Sequence, residues 1–81
     1  MVYSSNPKVN QNWTIGRVSG TAGKIDIEVR NGAAVVLGSK AFQNDGDTPL
    51  TVFIPWDAGT CTVRVYNNNS YAGSWTISVS T

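Results

Sequence analysis

The sequence predicts an all-β fold, a small antiparallel β-sandwich of about six to seven strands. Three observations lead there. Apolar and polar residues alternate in KIDIEVR (24–30), LTVFI (50–54), CTVRVY (61–66) and SWTISVS (74–80), and a period of two puts every second side chain on one face of a strand. Turn residues separate these runs at intervals of ~8–12 residues, the spacing of sandwiches and small barrels. No segment shows the 3,4 spacing of an amphipathic helix.

The elements follow in order along the chain. Residues 1–11 are polar, contain Asn6-Pro7, and read as a tail or edge segment; residues 12–81 read as one sandwich domain. WTIGRV (13–18) is a short, weakly patterned strand, and SGTAG (19–23) is a turn. In 24–30, Ile25, Ile27 and Val29 point inward, leaving Asp26, Glu28 and Arg30 as a solvated face. Asn31-Gly32 predicts a two-residue hairpin loop, since both residues tolerate positive φ. AAVVLGSKAF (33–42) is a further strand with Gly38 as a bulge or an end. QNDGDTP (43–49) is a loop. Leu50, Val52 and Ile54 face the core and Phe53 faces out. PWDAGT (55–60) turns the chain, with Asp57 as a turn cap. Cys61, Val63 and Val65 face in and Tyr66 out. NNNSYAG (67–73) is a second hairpin loop, and Trp75, Ile77 and Val79 close the core.

With 81 residues the chain makes one domain, and a domain of that size buries only about 60% of its unfolded surface. Charged residues are 14% of the chain, against roughly 25% in an average soluble domain. Surface polarity must therefore come from Asn, Ser, Thr and Gly, a composition that suits an extracellular, virion or cell-surface setting. The net charge is +1, and Lys8, Arg17, Lys24, Arg30, Lys40 and Arg64 are scattered. A surface that tracks phosphates needs those cations clustered, so nucleic acid is excluded as a partner. No apolar stretch approaches the ~20 residues of a membrane span. The N-terminal residues lack the charged-then-apolar layout of a signal peptide, which leads us to expect a mature chain or one released without cleavable export.

Catalytic chemistry finds few tools. There is no histidine and one cysteine, Cys61, so no intrachain disulfide and no Cys/His metal site can form. Asp26 and Glu28 alternate with core residues. Asp45 and Asp47, in NDGD (44–47), begin a spacing that Ca²⁺ loops use but lack a closing Glu. Serines and threonines have no base to activate them. We expect neither enzyme activity nor a cofactor.

The stretch LTVFIPWDAGTCTVRVYN (50–67) resembles the E–F region of immunoglobulin-like domains, where an alternating strand runs into an Asp-x-Gly corner and a second alternating strand ends in Asn. Asp57, Ala58, Gly59 and Asn67 hold the matching places. AGSWTISV (72–79) looks like the last strand of filamin-type sandwiches, and GKIDIEVRNG (23–32) like the B strand. The corner tyrosine of that family would fall at Cys61 and its second disulfide cysteine at Val63, and 33–42 has no tryptophan. The resemblance thus implies a divergent, disulfide-free member. Tyr66, then Tyr71-Ala72-Gly73, also resembles the aromatic hairpin of βγ-crystallin Greek keys, although only eight residues follow Gly73.

The aromatic residues and amides point to recognition. Trp75, and Trp13 by position, suit the core; Trp56, after Pro55, either caps one end of the sandwich or stands exposed. An exposed ring offers sugars an apolar, electron-rich platform, and asparagine amides pair with hydroxyls. Trp56, Tyr66, Asn67, Asn68, Asn69 and Tyr71 are the candidate ligand-binding residues. The same asparagines also suit a plain turn. Sequons occur at Asn12-Trp13-Thr14 and Asn68-Asn69-Ser70, and they matter only on a glycosylating secretory route. The expectation is a non-catalytic binding or adhesion module for carbohydrate or a protein surface. The alternative is a structural or assembly domain, such as a virion decoration, tail or spacer module, that pairs through its sheet edges.

Overall fold

A computed structural model describes residues 3–19, 24–44, 46–65 and 74–81, with the backbone alone at 18, 19 and 74. Seven strands form: β1 (Tyr3–Ser5), β2 (Gln11–Ser19), β3 (Ile25–Arg30), β4 (Val36–Phe42), β5 (Leu50–Ile54), β6 (Cys61–Val65) and β7 (Ser74–Ser80). They make a four-stranded sheet in the order β1-β6-β3-β4 and a three-stranded sheet in the order β5-β2-β7, antiparallel throughout. Among the described residues no helix is long and apolar enough to cross a membrane.

The period of two explains the core. Trp13 and Ile15 from β2, Ile25, Ile27 and Val29 from β3, Phe42 from β4, Val52 and Ile54 from β5, and Cys61 and Val63 from β6 are all buried between the sheets. Leu50, Val65, Trp75 and Ile77 pack against them from the margins. Tyr3 meets Trp13 edge-on at 5.2 Å, and Phe42 meets Trp75 edge-on at 5.3 Å, so two T-shaped pairs span the gap between sheets. Gly38 sits where β4 crosses β5: a Cβ there would lie 2.8 Å from Val52 Cγ2. The missing side chain lets that flank of the sandwich close.

Several expectations are corrected. β2 is not a short, weak strand; it runs for nine residues at the centre of its sheet, with Trp13 and Ile15 fully buried. Its polar alternates had masked the pattern. Asp26 and Glu28 do not form a solvated face, for they keep only 7% and 5% of their exposure. Their strand is central, and the Arg30 and Arg64 side chains reach Glu28 Oε1 at 2.7 and 3.8 Å while Lys24 reaches Asp26 at 3.8 Å. The β3–β4 hairpin turns over five residues, not two. Asn31 O accepts from Ala34 N, Asn31 Oδ1 accepts from Ala33 N and Val35 N, and the positive φ falls on Ala34. The Asn31 side chain organises this wider turn, so β4 begins at Val36 and not at residue 33. Leu37 is the extra residue of a bulge, and Gly38 keeps its place opposite Val29. Val79 faces the core side yet stays 43% exposed, because β7 is an edge strand.

Within the sheets, β5 adjoins β2, and β6 adjoins β3. Of the terminal strands, β1 flanks β6, and β7 flanks β2.

Candidate functional site

The sandwich has two ends. One carries the 55–60 corner, the 31–35 turn, the β1–β2 loop and the end of β7. Gly32 N donates to Ala58 O at 2.8 Å, and Trp56 N donates to Asn10 Oδ1 at 2.8 Å, which ties three loops together there. A second backbone bond, Ala58 N to Pro55 O, closes the corner, and Gly59 takes positive φ to leave it. These bonds hold the backbone of Trp56 while its side chain stands in solvent, 63% exposed. Trp56 is thus exposed rather than a cap.

The other end lies beyond Val65 and before Ser74. Tyr66, Asn67, Asn68, Asn69 and Tyr71 fall outside the described residues, as does Asp45.

The register of the three-stranded sheet groups further residues around Phe53, which stands a few residues before Trp56 in sequence and is 56% exposed on the outer face. Across from Phe53 lies Asn12, and across from Asn12 lies Ser80. The next row along the strands is Thr51, Thr14, Ser78, and the third is Gly16 opposite Thr76. Directly opposed residues share a face, so these rows form one outer surface. Strands ~4.8 Å apart and rows ~6.8 Å apart give it a regular grid of hydroxyls and one amide. Among the described residues it carries no charged side chain, and Phe53 stands at the end from which the chain runs on to the 55–60 corner and Trp56. Gly16 keeps the grid flat: Thr76 Oγ1 lies 2.9 Å from where a Cβ would stand.

The charged groups are engaged elsewhere. Asp47 Oδ2 accepts from Gln43 N at 2.7 Å and Asn44 N at 2.9 Å. The bonds from Asn44 and Gln43 hold its carboxyl below the ordinary value of 3.8. That carboxylate closes its own loop. Cys61 is buried with its thiol 3.6 Å from Gly59 O, and burial pushes its pKa up. A reactive thiol needs the opposite shift. Among the described residues no cluster of three or more His, Cys, Asp or Glu is placed to hold a metal ion.

Sequence reasoning left Phe53, Asn10 and Asn12 out of the site. The period of two already turned Phe53 outward. What it lacked was the pairing of β5 with β2, which alone sets Asn12 beside that ring. The chain matches no protein-family model, no curated protein and no solved structure.

Proposed function

We propose that this protein is a non-catalytic binding or adhesion module of extracellular type, and that its ligand is a neutral carbohydrate. The observation that supports this reading is the uncharged outer grid of β5, β2 and β7 running up to two exposed rings, Phe53 and Trp56. Rings stack on the C–H faces of a sugar, and hydroxyls and amides exchange hydrogen bonds with its hydroxyls without the desolvation cost of a charge. We read the chain as related to immunoglobulin-like domains through strands β2 to β6: in that pattern the E strand adjoins B and the F strand adjoins C, as β5 adjoins β2 and β6 adjoins β3 here, with the terminal strands placed differently. Tyr66, Asn67, Asn68, Asn69 and Tyr71, which lie outside the described residues, stay within the proposal as candidate ligand-binding residues.

Titration with a panel of neutral oligosaccharides, followed by tryptophan fluorescence and amide NMR shifts, tests this. We expect shifts at Asn12, Phe53 and Trp56, and at least a tenfold weaker Kd in Trp56→Ala. Shifts confined to 66–71 would move the site to the other end. No response to any glycan in the panel would end the carbohydrate reading. The assembly reading rests on a different feature, the edge of β7.

A further inference from the structure

We infer that the free edge of β7 pairs antiparallel with the β7 of a second copy of this chain, joining two three-stranded sheets into one of six strands. The inference goes beyond the carbohydrate reading and does not depend on it. A sheet edge exposes unpaired N–H and C=O groups, and soluble proteins guard such edges with shortness, charge, proline, bulges or cover. Three of the four edges are guarded. β1 has three residues. β4 carries Lys40 and the bulge at Leu37. β5 is bounded by Pro49 and Pro55, and β4 closes over its flank at the Gly38–Val52 contact.

Among the described residues β7 has none of these devices. It is seven residues long, SWTISVS, without charge or proline. Among the described residues its only neighbour is β2. The one irregularity of that ladder lies at Arg17/Ser19, beside the first residue of β7, and leaves 75–80 in regular register. Its inward residues are incompletely covered: Ile77 is half-buried, and Val79 is exposed although it faces the core side. A strand added at this edge would cover both.

The second copy fits as the occupant. Two-fold pairing through Ile77 sets Ile77 against Ile77, Thr76 against the partner's Ser78, and Trp75 against the partner's Val79. Opposed residues in an antiparallel pair share a face, so apolar side chains stay on the core side and hydroxyls on the outer side along the whole strand. The contact is isologous and closes as a dimer, not a fibre. A net charge of +1 leaves little repulsion between copies.

Sedimentation velocity of the intact protein across about 1–300 μM, without glycan, tests the pairing over micromolar dissociation constants. We expect a reversible monomer–dimer equilibrium. The double variant Thr76→Lys/Ser78→Lys should raise the dimer Kd at least tenfold, with an unchanged circular dichroism melt at low concentration. Mixing it with Thr76→Glu/Ser78→Glu should restore a dimer, now a heterodimer. Ser39→Lys, on the β4 edge, should leave the equilibrium untouched. A wild-type monomer at every concentration, or a dimer indifferent to the β7 charges, overturns the inference.

Discussion

The outer faces of the two sheets differ more than any other pair of regions in this molecule. At the centre of the four-stranded sheet stands Glu28, nearly buried, with the guanidinium of Arg30 at 2.7 Å and that of Arg64 at 3.8 Å. At the centre of the three-stranded sheet stands Thr14, between Thr51 and Ser78. Most of the paired charge sits on one face, and the other is neutral. The difference teaches which face is free. A face whose charges are drawn into ion pairs with one another offers little to a neutral ligand, whereas hydroxyls on a flat sheet keep donors and acceptors available. The neutral face is also the one that ends at the exposed Phe53 ring and includes the unguarded strand.

The comparison can be broken by parting the sheets. Gly38→Ala puts a methyl against Val52 Cγ2 within 2.8 Å. Overpacking of this kind costs about 2 kcal/mol, to be read as a lower denaturant midpoint. A neutral result would mean that the sheets do not meet there. A gentler test compares the two central residues. Glu28→Ala should cost about 1–2 kcal/mol, as Arg30 and Arg64 are left without their carboxylate but near enough to solvent to recover water. Thr14→Ala should change stability by no more than about 0.5 kcal/mol while weakening glycan binding. Equal losses at both positions would erase the distinction between the faces.

Acid sharpens the contrast between charged and neutral regions. Asp47 has its carboxyl pKa lowered by the Asn44 and Gln43 backbone bonds. A depressed folded pKa contributes stability above the unfolded value, and that contribution is lost as pH falls through the folded value. Melting temperature should therefore drop below about pH 4, and Asp47→Asn should flatten part of that drop. A wild-type melt that does not change down to pH 2 would contradict the role given to this carboxylate. The smallest effect is a gain. Ala34 takes a φ of 63°, so Ala34→Gly should stabilise by about 0.5–1 kcal/mol in the same denaturant assay, less the added freedom of the unfolded chain.

How much was legible varies with residue and reason. β5, β6 and β7 stood out because apolar residues fill every second place, and Val52, Ile54, Cys61 and Val63 are buried as expected. β2 was underread because Asn12, Thr14 and Gly16 dilute its pattern, although its inward Trp13 and Ile15 are fully buried. Asn31-Gly32 signalled a hairpin correctly and misled on its length, because the Asn31 side chain can bridge a wider turn. Trp56 was legible as a ring beside a proline. Its exposure was not, since that depends on Asn10, forty-six residues away in sequence.

Local chemistry was thus enough to set which side chains share a face, since a strand alternates whatever surrounds it. It also set the polarity of the surface, through the scarcity of charge. Only the tertiary structure decided which strands are neighbours, and so which face is covered by ion pairs, which lies open as a neutral grid, and which edge goes unguarded. Pairing is made between residues distant in the chain, and a period of two is the same in a central strand, where both faces are hemmed in, as at an edge.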